Sequence, residues 1–218
     1  MTPPTLSETS HHDRFYFGSA DAVAIISFFA IGILVYGVYI PLLGFYWDDW
    51  PVIWVYSSLG PRGVANYFSA DRPVSGWIYA GLAQILGLSP IGWQIIALMV
   101  RCASSAVLFV AFCGLWPKRK DVAWLVGGLV LLYPGFTLQP VALISLTHHL
   151  GFLLFVVSLA TTIFSITNPG YRWLLLPTSL VTGVFSCLIS EYFSGLELFR
   201  LLVIVALTGR ECVTGDLK

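Results

Sequence analysis

Charge is scarce in this chain, since charged side chains make up only 10% of its 218 residues and hydrophobic ones make up 57%. A soluble globular domain has roughly a quarter of its residues charged, so the composition excludes water as the main solvent. Neither sign dominates, because 11 basic residues balance 11 acidic ones. A net charge of zero offers no overall field for a polyanion, and we expect no nucleic-acid partner.

Paired cysteines, long linkers and internal repeats are also missing. The four cysteines show no CxxC spacing, and three of them, Cys102, Cys113 and Cys187, lie inside apolar runs, which indicates small buried side chains. We therefore expect one membrane domain over residues 21–208. A cytoplasmic tail at 1–20 would precede it, and a short cytoplasmic tail at 209–218 would follow.

Long apolar runs are what the sequence has in place of charge. A helix needs roughly 20 apolar residues to cross a hydrocarbon core of about 30 Å, and it satisfies its own backbone hydrogen bonds in lipid. The candidate runs are 21–44, 73–88, 90–116, 122–140, 142–166, 172–190 and 192–208. The sequence predicts an all-α fold, a polytopic transmembrane helical bundle of six or seven membrane helices with the lipid bilayer as its partner.

The basic residues favour six crossings. If every run crosses and the N-terminus is cytoplasmic, six basic residues fall outside, against the positive-inside bias; they are Lys118, Arg119, Lys120, Arg172, Arg210 and Lys218. If run 73–88 is a re-entrant or surface-lying helix, these six fall inside and only Arg62 and Arg72 stay outside. The polar candidates discussed below then share the extracytoplasmic side.

The first outer loop, 45–73, is rich in aromatic residues. Trp47, Trp50, Trp54 and Tyr56 suit an amphipathic helix in the headgroup layer, where the rings keep an apolar body in lipid and a polar edge in water. An interfacial aromatic belt explains these residues without any catalytic role. Trp47 and Trp50 also flank two acids, which makes them candidate substrate-binding residues.

Asp48 and Asp49 are the candidate catalytic residues. Adjacent carboxylates at a membrane surface repel each other and lose hydration, so they need a compensating metal, arginine or hydroxyl. Such a carboxylate can act as a general base on a hydroxyl or hold a divalent cation against a phosphate. The structural alternative is that one of them caps the helix beginning at Trp50-Pro51.

Asp71-Arg72-Pro73 opens the second run and supplies two candidate substrate-binding residues. A fixed guanidinium at Arg72 could hold a lipid-linked phosphate by paired hydrogen bonds. Alternatively, Asp71 caps the following helix and Arg72 extends toward the interface. Glu191, near the outer boundary, is a further residue expected to line the site, whereas Glu197 and Arg200 are spaced to pair on one helix face.

His148 and His149 stand near the start of the fifth run. Successive helical residues point about 100° apart, so one of them at most faces a given site. Core or interfacial histidines are the simpler interpretation. A divalent metal ion held by Asp48, Asp71, His148 and His149 is the alternative, and it is the cofactor this sequence allows.

The early acid in aromatic surroundings, Trp47-Asp48-Asp49-Trp50, followed by Asp71-Arg72-Pro73 at the start of an apolar helix, resembles the membrane glycosyltransferases of the GT-C superfamily. The pattern is most similar to bacterial aminoarabinose transferases and protein O-mannosyltransferases. The segment 86–90 and Arg101 add to the likeness, which covers roughly residues 20–140. It implies sugar transfer from a polyprenyl-phosphate donor to an extracytoplasmic acceptor, in the bacterial inner membrane with the site facing outward.

In that family an aspartate of the first outer loop acts in acceptor activation or metal binding, and the acid-basic-Pro triplet lies beside the lipid-phosphate site. The resemblance therefore implies these roles for Asp48 or Asp49 and for Arg72. Family members usually have eight or more spans, so we expect this chain to correspond to an N-terminal half. A transporter or channel, and a non-catalytic subunit that binds lipid or a protein partner of unknown kind, are the alternatives.

Overall fold

The computed structural model describes residues 17–133 and 140–214, with the backbone alone for 210–214. Regular structure in this described part is entirely helical, which confirms the all-α prediction. The helices are α1 (Ser19–Val35), α2 (Asp49–Tyr67), α3 (Pro73–Leu86), α4 (Pro90–Leu115), α5 (Lys120–Leu132), α6 (Ala142–Thr167), α7 (Arg172–Ile189) and α8 (Ser194–Thr214). Short 3-10 turns occupy Gly37–Leu42, Pro169–Tyr171 and Glu191–Phe193.

Five helical stretches of the described residues are long and apolar enough to cross a membrane, which indicates an integral membrane protein. They are Ser19–Leu42, Pro90–Leu115, Ala142–Thr167, Pro169–Ile189 and Glu191–Gly209. Each corresponds to one of the predicted apolar runs. The predicted C-terminal tail at 209 begins inside α8, because that helix continues to Thr214.

The other two predicted runs form shorter helices. Helix α3 has 14 residues, about 21 Å at 1.5 Å per residue, which is less than the hydrocarbon core. The count of six or seven crossings stays a prediction. Helix α5 has 13 residues. Most of the rest of its predicted run, 134–139, lies outside the described residues, as do residues 1–16 of the N-terminal tail.

Helices α1 and α5 run side by side in the same direction. At their first residues, Nζ of Lys120 lies 2.8 Å from both carboxylate oxygens of Asp21, whose side chain is buried. At their last turns, the Tyr36 hydroxyl donates to the carbonyl oxygen of Leu131 at 3.4 Å. We call the end of the bundle that holds Asp21, Lys120 and the last residue of α4 the base end.

The opposite end, the cap end, is covered by α2 and α3. Contacts at this end join parts of the chain that are far apart in sequence. Gln94, near the start of α4, donates to the carbonyl oxygen of Pro140 at 2.7 Å. Ser75 of α3 donates to the carbonyl oxygen of Ile189 at 3.0 Å. Helices α4, α6 and α8 therefore begin at the cap end, and α7 ends there.

Helix α2 is broken where it crosses the cap end. Gly60 has φ 68° and ψ −169°, a conformation that side chains disfavour, and Pro61 keeps its preceding residue out of the helical region. The Tyr56 hydroxyl then reaches the carbonyl of Ala83 at 3.0 Å and fastens α2 to α3.

A glycine sets the distance between α1 and α4. A Cβ at Gly32 would overlap Sγ of Cys102, while its next neighbours, Leu98 and Leu131, lie at 3.6 and 3.7 Å, ordinary contact distances. We expect Gly32→Ala to destabilise the protein by about 1–3 kcal/mol through overpacking. Adding Cys102→Ala should restore most of this loss.

Thermal unfolding of both variants in detergent, followed by intrinsic fluorescence, measures the effect. Cys102→Ala alone is the control for the cavity that it leaves. Equal melting temperatures for wild type and Gly32→Ala would contradict this packing.

Candidate functional site

Four side chains from three separate parts of the chain meet at the cap end. Nη2 of Arg72, the residue before α3, lies 3.2 Å from Oε1 of Glu191, which opens the 3-10 turn between α7 and α8. The guanidinium carbon of Arg72 lies 5.7 Å from the ring centroid of Tyr192. The His148 ring stacks against the same tyrosine, with 6.3 Å between ring centroids. We call Arg72, His148, Glu191 and Tyr192 the cap cluster.

The guanidinium of Arg72 is held in place by Glu191 and remains accessible. The side chain of Arg72 is 27% exposed and that of Glu191 is 65% exposed. Burial acts to lower the pKa of Arg72, but the charges and hydrogen bonds of Glu191 and Tyr192 together outweigh it, so the net effect raises this pKa. A guanidinium has five N–H donors in a planar fork, and Glu191 accepts from Nη2. The fork can therefore bind a second anion without breaking the ion pair.

Phe193 fixes the turn that carries Glu191 and Tyr192. Its buried ring packs against Gly151 of α6, where an added Cβ would overlap the ring. Ser186 of α7 donates to the carbonyl oxygen of Gly151 at 2.8 Å, which holds α7 against the same position. Because Gly151 has no side chain, the Phe193 ring fits against α6, and the turn that carries Glu191 can face Arg72.

Asp49 and Asp48 lie in very different environments. Asp49 is fully buried, and its carboxylate accepts the backbone N–H of Ile144 at 2.9 Å and that of Tyr46 at 3.3 Å. Burial raises the pKa of Asp49 above its usual value, an effect that the backbone donors offset only in part. Asp48 is exposed to the surroundings of the cap end. Of the two acids, Asp48 is the one that an external ligand can reach.

Tyr79 joins α3 to the first turns of α6. Its buried hydroxyl lies 2.7 Å from the carbonyl oxygen of Ile144 and 2.6 Å from Oγ1 of Thr147. Burial raises the pKa of this hydroxyl far above its usual value, so it stays protonated. Asp49 and Arg72 are both close enough for their charges to act on Tyr79, which therefore lies between the two candidate regions.

The remaining predicted residues of the first loop are exposed. Trp47, Trp50 and Asp71 all present their side chains outward, and Oδ1 of Asp71 accepts the backbone N–H of Arg72 at 2.8 Å. Trp47 has φ 43°, a left-handed conformation that is uncommon for a bulky side chain. The sharp turn that it makes brings Asp49 inward and leaves Asp48 outside.

The two histidines point to different neighbours, as their spacing requires. His148 belongs to the cap cluster, whereas His149 is buried where the charge of Arg101 acts on it. Within 17–133 and 140–214, no group of three His, Cys, Asp or Glu side chains is placed to hold a metal ion. The metal site on Asp48, Asp71, His148 and His149 stays a prediction.

The structure brings Arg72, His148 and Glu191 together from the set of candidates drawn from sequence. It adds Tyr192, Tyr79 and Phe193, which sequence reasoning missed. Tyr192 directly follows Glu191, so its position next to a candidate acid was an available signal. Tyr79 lies in an apolar helical pattern and Phe193 lies in a short turn between two helices, and neither place carries such a signal.

Comparison of the chain with protein-family models, with curated proteins and with solved structures gives no match.

Proposed function

We propose that this chain is a membrane glycosyltransferase, or the N-terminal part of one, which moves a sugar from a polyprenyl-phosphate donor to an acceptor at the cap end. The observation that carries the proposal is the cap cluster, an accessible guanidinium held by Glu191 and Tyr192 beside His148. It lies where two lipid-compatible helical stretches, Ala142–Thr167 and Glu191–Gly209, begin. A lipid-linked phosphate entering from the bilayer at this level would meet the guanidinium of Arg72.

The residues divide the proposed reaction between them. Arg72 binds the donor phosphate by charge-assisted hydrogen bonds. The exposed carboxylate of Asp48 takes the proton of the acceptor hydroxyl as its oxygen attacks the anomeric carbon. The bond from that carbon to the phosphate oxygen breaks, and polyprenyl phosphate leaves with its new negative charge stabilised by Arg72. Asp71, Trp47 and Trp50 would contact the sugar or the acceptor.

The proposed orientation places the cap end outside and the base end in the cytoplasm. The turn before α5 and the first residues of α5 and α7 carry basic residues toward the base end, which agrees with the positive-inside bias; they are Lys118, Arg119, Lys120 and Arg172. Arg62 and Arg72 belong to the cap end. In this topology α1, α4, α6, α7 and α8 cross a bacterial inner membrane, and the predicted run 122–140, of which α5 is the described helical part, makes the sixth crossing.

The exposed aromatic face of α2 supports a position in the headgroup layer. Trp50 and Trp54 lie one helical turn apart, and their side chains are 58% and 67% exposed. Tryptophan is favoured where one part of the ring meets lipid and its N–H meets water. We therefore propose that α2 is the amphipathic interfacial helix expected from the sequence.

Binding of polyprenyl phosphate to the purified protein in nanodiscs tests the proposal. We expect saturable binding at least tenfold tighter than that of the matching polyprenol, because only the phosphate engages Arg72. Transfer of radiolabelled sugar from polyprenyl-phosphate hexose or pentose to membrane acceptors is the second measurement. Equal affinity for the phosphate and the alcohol, together with no transfer, would refute the assignment.

A transporter is the second candidate, and one observation favours it. Arg101 lies buried in the middle of α4, and its Nη2 donates to the carbonyl oxygen of Leu131 at 2.7 Å, where α5 ends inside the bundle. Helices that end at mid-depth beside a charge are typical of transporter sites. Solute flux in proteoliposomes that persists when Arg72 and Asp48 are replaced would favour this candidate over the transferase.

A further inference from the structure

The first turn of α6 needs an external acceptor. The first backbone N–H groups of any helix lack partners within the helix. The residue at the N-cap is Val141, whose side chain has no acceptor, and α6 has no side-chain cap of its own. This turn is also buried, since Ala142 and Leu143 are only 2% and 3% exposed. Water therefore has little access to its donors.

Asp49 supplies that acceptor from a distant part of the chain. Its Oδ1 lies 2.9 Å from the backbone nitrogen of Ile144, the third residue of α6, 95 positions later. Its Oδ2 lies 3.3 Å from the backbone nitrogen of Tyr46 and closes the turn at Trp47. Both oxygens are thus occupied by backbone donors, and a negative charge at a helix N-terminus is favoured.

The capped turn is also the part of α6 that Tyr79 holds. The tyrosine hydroxyl contacts the carbonyl oxygen of Ile144 and Oγ1 of Thr147. His148, one helical turn after Ile144, belongs to the cap cluster. A shift of this turn would therefore move His148 relative to Arg72.

We propose that Asp49 is a positioning residue that caps α6 in place of a local N-cap residue and so fixes His148 within the cap cluster. The assignment rests on the proposed function for its effect on catalysis, but its structural part is independent of any substrate. This assignment gives the two adjacent acids different roles. Asp49 is a helix cap, whereas Asp48 remains exposed, where a ligand can reach it. The left-handed conformation of Trp47, just before the two acids, is the backbone feature that turns Asp49 inward and leaves Asp48 outside.

Amide hydrogen exchange of the protein in nanodiscs tests the cap directly. We expect Asp49→Ala to accelerate exchange at Leu143 and Ile144 by on the order of tenfold, as for loss of a buried cap. Asp49→Asn, which keeps an acceptor oxygen, should accelerate exchange much less. It should also keep most of the affinity for polyprenyl phosphate, whereas Asp49→Ala should lose affinity.

A local rescue provides the second arm. Val141→Thr changes little in volume and gives α6 a hydroxyl of its own at the N-cap. Combined with Asp49→Ala, it should restore both amide protection and affinity for polyprenyl phosphate. Val141→Ala in the same background is the matched control, since it offers no acceptor.

Unchanged exchange at Ile144 in Asp49→Ala would overturn the proposal. The proposal would also be overturned if Asp49→Asn lost amide protection as fully as Asp49→Ala and Val141→Thr restored none of it. The negative charge of Asp49, rather than its acceptor oxygen, would then protect the first turn of α6. If Asp49→Ala does not fold, its combination with Val141→Thr takes its place: we expect that double variant to fold and to keep Ile144 protected, whereas failure to fold, or loss of that protection, would overturn the proposal. Failure of the transferase proposal would appear as absent sugar transfer by the wild type and would leave these exchange results in place.

Discussion

Replacing Arg72 with glutamine is expected to weaken polyprenyl phosphate binding by about 100-fold and to reduce sugar transfer at least as much. A hydrogen bond between charged groups contributes about 1.5–3 kcal/mol, and a guanidinium can make two to one phosphate. Folding should change little, because the Glu191 carboxylate left behind is 65% exposed and remains hydrated. Binding titrations in nanodiscs, with melting temperature measured in parallel, give both quantities.

Arg62→Gln is the matched control for this experiment. Arg62 is exposed on α2 at the same end of the bundle, so its replacement removes the same charge without touching the cap cluster. We expect its effect on affinity to stay within about twofold, a difference consistent with long-range screening. Equal losses in the two variants would show that the cap end attracts the phosphate only by its overall charge.

Asp48→Asn is expected to reduce the rate of sugar transfer by about 100- to 10,000-fold, the usual range for loss of a general base. Donor affinity should be nearly unchanged, because the phosphate is held at Arg72. This split between rate and binding distinguishes a catalytic carboxylate from one that orders the loop. Single-turnover transfer and equilibrium binding, measured on the same preparation, separate the two effects.

The control for Asp48 lies at the base end. Asp121 is likewise exposed, and it pairs with Arg119 at 3.1 Å, so Asp121→Asn removes an acid of similar exposure far from the cap cluster. It should leave the transfer rate intact. A full rate in Asp48→Asn would remove Asp48 from the mechanism.

Much of the helical framework follows from local sequence, because length and apolarity are local properties. Runs 90–116 and 142–166 match α4 and α6 to within one residue at each end. The start of α4 is also predictable, because proline is favoured at the first position of a helix and Pro90 occupies it. The end of α5 is different. Close to that end, the carbonyl of Leu131 accepts a hydrogen bond from Arg101, which lies 30 positions earlier, and no pattern within 122–140 predicts that contact.

The candidate site was predictable in its residue types but not in its division of roles. Arg72 and Glu191 were singled out separately, yet their pairing joins residues 119 positions apart. Asp48 and Asp49 are chemically identical in sequence. Their environments differ because of the turn at Trp47 and the approach of α6. Both depend on tertiary packing, which the neighbouring sequence does not reveal.

The contact between Asp21 and Lys120 has a consequence for how the chain is made. Asp21 stands in the first apolar helix and pairs with a cation 99 residues later, so the acid emerges from the ribosome long before its partner. At about 5–20 residues per second, the interval is on the order of 5–20 s. During it the newly made α1 carries this acid without its lysine partner. The contact that joins the two helices can therefore form only after α5 has been made, which makes the first and fifth helices partners in biogenesis.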